Sequence, residues 1–109
     1  MRPRWATRSG AFGVCLLAAV CASAPARALT KTQLQDLVVQ CAVCHGADGV
    51  SRDDSIPNLD GQHDHYLYNQ LVAFGAGRRT HKEMRVMSRQ LTDDDMWAIA
   101  EYYAALRPR

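Results

Sequence analysis

The motif Cys41-Ala42-Val43-Cys44-His45 restricts what this chain can fold into more than any other feature of the sequence. Residues three apart on a helical turn face the same way, so the two thiols of this motif would project from one side of a helix. His45 follows the second thiol directly. The three side chains together suit a planar group that can be bonded through two thiols at one edge and ligated from below by an imidazole.

This spacing is the attachment motif of c-type haem, in which the two thiols add to the two vinyl groups along one edge of the porphyrin. A thioredoxin-like dithiol or disulfide is the main alternative, but it needs a strand-helix-strand setting that the sequence does not show. We therefore predict one covalent haem c per chain, bound through Cys41 and Cys44, with His45 as an axial iron ligand.

A structural zinc site is the second alternative for the two cysteines. Such a site would need a fourth ligand and usually a second pair of cysteines. Downstream of the motif the chain offers only scattered histidines at His63, His65 and His81. These are expected to be surface residues.

The first 28 residues are typical of an export signal rather than of a folded domain. Arg2, Arg4 and Arg8 precede an uncharged run over residues 9–26, and Ala26 and Ala28 form the pattern that a signal peptidase cleaves. We predict a signal peptide at 1–28, cleavage after Ala28 and a periplasmic domain at 29–109. An uncleaved membrane anchor is the alternative, although the strongly apolar part is only as long as a signal peptide core.

Removal of this leader reverses the sign of the net charge. The whole chain carries thirteen Lys and Arg against eleven Asp and Glu, or +2, whereas residues 29–109 keep nine of the basic and all eleven acidic residues, or −2. No nucleic-acid partner is therefore expected. A domain of this size has a thin core that a prosthetic group often reinforces.

Beyond the motif, the chain resembles the class I c-type cytochromes, most of all the small bacterial periplasmic type and the single domains of dihaem cytochromes. The resemblance covers essentially all of residues 29–109. It rests on the segments CAVCHGADG at 41–49, IPNLDGQ at 56–62, LTDDD at 91–95 and AEYY at 100–103, together with Met87. It implies an all-α class I cytochrome c fold, with about three main helices and loops wrapped around one covalent haem.

Hydrophobic periodicity and capping residues agree with that architecture. Apolar residues at helical spacing predict helices over 32–42 and 65–76, and Thr92 with Asp95 forms a capping box that starts a last helix reaching residue 106. Glycine, proline and aspartate between the first two helices predict an irregular loop over 46–61. The segment 77–90 shows no helix caps of its own and is expected to wrap over the distal face of the haem.

The second axial ligand is expected to be a methionine, because a neutral thioether favours Fe(II) and raises the potential of the haem. Met96 falls inside the last helix, where packing is its expected role. The family register implies Met87, four residues before Leu91, and Met84 is the alternative. A bis-histidine haem would require a histidine to displace Met87.

The resemblance further implies that the carbonyl of Pro57 accepts the Nδ1 proton of His45 and fixes the ring. With His45 and Met87 on the iron, no open position remains for a substrate, so the chemistry left is one-electron transfer. We predict an electron carrier and not an enzyme. A cytochrome subunit tightly docked to a dehydrogenase or oxidase is the alternative, and a small haem enzyme or sensor is a more remote one.

The expected partners are redox proteins such as periplasmic or membrane-bound dehydrogenases, oxidases or reductases, and the expected state is a monomer or weak dimer. A basic cluster lies in the segment that carries Met87, and only Glu83 opposes it. We hypothesise that this cluster steers the haem edge toward acidic partners. Its members are Arg78, Arg79, Lys82, Arg85 and Arg89.

Overall fold

The computed structural model describes residues 28–108, and this part of the chain is all-α, with four helices and no strand. The helices are α1 (Lys31–His45), α2 (Asp64–Gly75), α3 (Lys82–Ser88) and α4 (Asp93–Ala104). The all-α prediction is confirmed, and the three helices of twelve residues or more are the three predicted ones. The predicted signal peptide lies outside the described residues, apart from Ala28. Over residues 28–108, no helix is long and apolar enough to cross a membrane.

Helix α1 is longer than the predicted 32–42 and includes the whole attachment motif. It begins with a capping box in which Thr30 accepts from the backbone of Gln33 and the Gln33 side chain accepts in return. It ends at Gly46, whose φ of 81° lies in the left-handed region that a side chain disfavours. The motif cysteines therefore lie on the last turns of a regular helix.

Helix α4 provides three of the four residues of the main buried cluster. The predicted capping box is present, since Asp95 N–H donates to Thr92 Oγ1 over 3.2 Å and Thr92 N–H donates to Asp95 Oδ2 over 2.8 Å. Helix α4 packs on both α1 and α2. Burial of a side chain such as Ile99 contributes about 1.5–3 kcal/mol to the free energy of unfolding. The buried cluster consists of Leu67, Ile99, Ala100 and Tyr103.

An aromatic contact near the start of α4 fixes its crossing with α2. The rings of Tyr68 and Trp97 stack at 4.0 Å between centroids. The Tyr68 hydroxyl donates to the Asp93 carboxylate over 2.6 Å, and this hydrogen bond raises the pKa of Tyr68. Because Asp93 is the first residue of α4, the contact ties the start of that helix to the side of α2.

The prediction for segment 77–90 is wrong in one respect, because α3 occupies its centre. His81 caps this helix: its Nδ1 accepts from the Met84 N–H over 3.4 Å. The inward side of α3 rests on α2, where Ser88 is completely buried and lies opposite Gly75. The segment thus presents its methionines from a helix rather than from an irregular loop.

Candidate haem site

The two cysteines of the motif are free thiols on consecutive turns of α1. Cys41 is half-buried and packs against the core cluster, and burial raises the pKa of its thiol. Cys44 is exposed. Their three-residue separation within a regular helix points both sulfurs to the same side, as two bonds to one porphyrin edge require.

His45 is the last residue of α1 and is buried, with 7% of its surface exposed. Its ring Nδ1 lies 2.8 Å from the carbonyl oxygen of Pro57. Because a carbonyl only accepts, the proton is on Nδ1, and Nε2 keeps the lone pair that can bind iron. This is the contact that the family resemblance implies, and it orients the ring and raises its basicity as a ligand.

The loop over residues 46–61 holds the Pro57 carbonyl in place through its own backbone. The Gly49 carbonyl accepts from the N–H of Leu59 over 2.8 Å, which closes the loop near its base. Ser51 N–H donates to Asn58 Oδ1 over 2.8 Å across the loop. Sequence reasoning missed the Ser51 and Asn58 pair, since nothing local distinguishes it from other polar loop residues.

The same loop is joined to α4 at both ends. The Tyr102 hydroxyl donates to the Ala47 carbonyl over 3.2 Å, and Gly61 N–H donates to the Tyr103 carbonyl over 3.0 Å. The Pro57 carbonyl, which accepts from His45, is therefore positioned by α4 as well as by the loop.

Gly49 offers a test of how much this loop contributes to stability. Its φ is 76°, and a Cβ would lie 2.7 Å from the Asp60 nitrogen. We expect Gly49→Ala to lower the free energy of unfolding of the haem protein by about 1–3 kcal/mol, measured by thermal denaturation. Gly75→Ala is the control, because its Cβ would meet Ser88 at an ordinary 3.6 Å. Equal midpoints for the two variants would contradict this role of Gly49.

Two methionines on α3 are the candidates for the second axial position. Met84 and Met87 are both half-buried, and they lie one helical turn apart on the inward side that also carries Ser88. The N–H of Met84 donates to His81, a backbone contact that does not distinguish between the two thioethers. Met96 is half-buried within α4. The remaining histidines are exposed, as predicted: His63, His65 and His81.

Sequence reasoning missed His81 as the residue that starts α3. An imidazole is not among the preferred helix-capping groups, so its sequence position gives little warning of this role. A weak signal exists in Glu83, whose negative charge in the first turn favours a helix start. The carboxylate of Glu83 also lies 3.5 Å from the His81 ring. These two residues set where α3 begins.

These residues fit a covalent haem c. Two free thiols share one side of α1, and a buried imidazole presents Nε2 with its other nitrogen already bonded. Within residues 28–108 no three His, Cys, Asp or Glu side chains are grouped so that they could hold a metal ion by themselves. Bound haem supplies reversible one-electron chemistry, while the chain bonds, orients and ligates it.

Comparison with known proteins agrees with this site. The cytochrome c family model matches residues 31–106. Cytochrome c4 from Pseudomonas aeruginosa is 42% identical over 65 residues, which cover 60% of this chain and 32% of the relative. The match thus spans about a third of that relative's length. Cytochrome c-554(548) from Halomonas halodenitrificans is 35% identical over 74 residues, covering 65% of this chain and 89% of the relative.

A solved structure shares the fold as well as the sequence. Thiosulfate dehydrogenase (TsdBA) from Marichromatium purpuratum superposes with a TM-score of 0.59 at 40% identity, over 62% of this chain and 15% of that chain. The relatives named as cytochromes are electron-transfer proteins, which supports an electron carrier and not an enzyme. The family match includes Cys41, Cys44 and His45, so the chain binds haem c covalently. Its motif, its fold and its relatives agree, and the chain belongs to the cytochrome c family.

Proposed function

We propose that this chain is a periplasmic one-electron carrier that exchanges electrons with a dehydrogenase as a free monomer or weak dimer. The observation that carries the proposal is the buried His45 ring, whose Nδ1 is bonded to the Pro57 carbonyl, so that its Nε2 would be available to hold iron. A ring fixed in this way keeps one axial ligand in place in both oxidation states. Small relatives such as cytochrome c-554(548), of which the chain covers 89%, support a single-domain carrier.

The opposite axial ligand in this proposal is a methionine of α3. The family register favours Met87, and Met84, which is half-buried one helical turn away on the same helix, is the alternative. A thioether on the second axial position leaves iron with no site for a substrate. Electrons would then enter and leave through the haem edge, and the chain's contribution is to fix both ligands and shield the ring.

The closed site gives a direct test of the carrier function. We expect the purified haem protein to accept one electron per chain reversibly, and its reduced form at neutral pH to bind carbon monoxide only slowly, because both axial positions are occupied. Stopped-flow absorbance after mixing with carbon monoxide measures this. Rapid binding would instead indicate a displaceable ligand, as a small haem enzyme or sensor requires.

A tightly docked subunit is the second candidate, and the likeness to thiosulfate dehydrogenase (TsdBA) favours it. Size-exclusion chromatography of a native periplasmic extract separates the two. A free carrier elutes near the size of a monomer or dimer, whereas a docked subunit stays with its dehydrogenase.

The same preparation tests export. Cleavage after Ala28 leaves Leu29 as the N-terminus, while an uncleaved anchor would leave the protein in the membrane fraction.

A further inference from the structure

The side chain of Tyr103 in α4 carries a buried hydroxyl without a partner. Tyr103 has none of its surface exposed and is the largest completely buried side chain in the described part of the chain. Its hydroxyl forms no hydrogen bond with any residue of 28–108. A buried hydroxyl that gives up its bonds to water and gains none lowers the stability of a fold. The great majority of such groups in folded proteins therefore have an acceptor.

Ser88 carries the other buried hydroxyl without a partner in this part of the chain. A helical serine can rotate and donate to the carbonyl of the preceding turn of its own helix, so Ser88 has an acceptor within reach. The phenol of Tyr103 extends too far from the backbone for a bond of this kind. The acceptor for Tyr103 therefore has to come from another group.

Tyr103 is held in place by both its backbone and its ring. Its carbonyl accepts from the N–H of Gly61 over 3.0 Å, which ties this turn of α4 to the loop that carries Pro57. Its side chain belongs to the buried core cluster and meets the Tyr102 ring edge to face, at 5.1 Å between centroids. The hydroxyl therefore has a fixed position, to which an acceptor has to be brought.

The surroundings of Tyr103 include the first cysteine of the attachment motif. Cys41 packs against the core cluster to which Tyr103 belongs. The pKa of Tyr103 is raised, mainly because burial disfavours the charged phenolate, and further because Cys41 and Tyr102 would add negative charge nearby when ionised. The hydroxyl thus keeps its proton and is a donor. Haem bonded through Cys41 carries two kinds of acceptor, the thioether sulfur and the propionate carboxylates.

We propose that Tyr103 is a haem-binding residue, whose hydroxyl donates a hydrogen bond to an acceptor of the covalently attached haem. The proposal depends on attachment through Cys41, and not on the electron partner or on which methionine ligates the iron. A donor at this position would draw negative charge toward the acceptor and away from the iron. It would therefore favour the reduced state and raise the reduction potential.

Tyr103→Phe tests the proposal, because it removes the hydroxyl and keeps the ring. The matched control is Tyr68→Phe, which removes a hydroxyl that donates to the carboxylate of Asp93. We expect Tyr103→Phe to lower the equilibrium constant for folding of the haem protein about tenfold, measured by guanidinium denaturation. We also expect it to lower the reduction potential, measured by voltammetry, whereas Tyr68→Phe should leave the potential unchanged.

Resonance Raman spectra of the wild type and of Tyr103→Phe identify the acceptor. A change confined to the propionate bending modes would indicate a carboxylate, and a change confined to the carbon–sulfur stretching modes would indicate the Cys41 thioether. Either change supports the proposal. Loss of stability with an unchanged potential and unchanged Raman modes would overturn it, because the acceptor would then belong to the polypeptide or to a buried water.

The sign of the stability change is a second way to overturn the proposal. If the hydroxyl stays unpaired in the haem protein, Tyr103→Phe should be as stable as the wild type or more stable, since it buries no unsatisfied group. The wild-type protein supplies a test that does not depend on any variant. The Tyr103 hydroxyl proton should exchange slowly with water and show nuclear Overhauser effects to haem substituents, and a proton without these effects would refute the contact.

Discussion

Cys41→Ser combined with Cys44→Ser is expected to abolish cooperative unfolding, because the chain without haem has too little core to fold. Within residues 28–108 the buried hydrophobic residues number six, and two of them, Phe74 and Val38, lie outside the main cluster. Ordering a residue costs about 1–2 kcal/mol of backbone entropy. The long loop over 46–61 contains no helix and buries little apolar surface to offset that cost.

Circular dichroism during heating measures the loss of cooperative unfolding directly. The wild-type haem protein should unfold in one transition, and the haem-free double variant should show a low helical signal that changes gradually with temperature. Val39→Ser with Val43→Ser is the matched control, since these side chains lie on the same helix but are 64% and 82% exposed. A cooperative transition of the double cysteine variant near the wild-type midpoint would show that the polypeptide core suffices.

Local signals explain which helices could be predicted from the sequence. The side chains of Thr92 and Asp95 each accept from the backbone N–H of the other residue, only three positions away. The start of α4 can therefore be predicted from the sequence without knowledge of the fold. The apolar positions of α2 predicted its inward face, where Leu67 and Phe74 are indeed buried. Attachment of haem was predictable for the same reason, since the motif is contiguous.

The parts that could not be predicted depend on distant contacts. Helix α3 is only seven residues long and is capped by His81, which no capping rule favours, and its packing on α2 places the buried Ser88 opposite Gly75. The prediction that α1 ends at residue 42, within the motif, was wrong because the stop is Gly46, whose left-handed backbone is a property of the folded turn. Beyond the weak signal of Glu83, the sequence pattern alone predicts neither the start of α3 nor the end of α1.

The presence of α3, which was not predicted, bears on the choice of axial methionine. The register that implies Met87 was combined with the expectation that segment 77–90 has no helix caps, whereas α3 places Met84 and Met87 on one side of a helix, both half-buried. Because Met84 and Met87 are one helical turn apart, only one of the two side chains can occupy the same ligand position. Replacement of the true ligand should therefore have a large effect, and replacement of its neighbour a small one.

Met87→Ala is expected to remove the weak red band of Met-to-iron charge transfer from the oxidised haem protein, to lower its reduction potential and to open the reduced iron to rapid carbon monoxide binding. Met84→Ala should keep the band and lose only packing, with a cost of about 2–5 kcal/mol if the site is tightly packed. Met96→Ala is the control for packing in α4. Loss of the band in Met84→Ala with retention in Met87→Ala would show that the ligand is Met84, which lies in the first turn of α3 next to its cap at His81. Retention in both variants would instead point to Met96, and absence of the band from the wild-type protein would indicate a different sixth ligand, such as one of the exposed histidines.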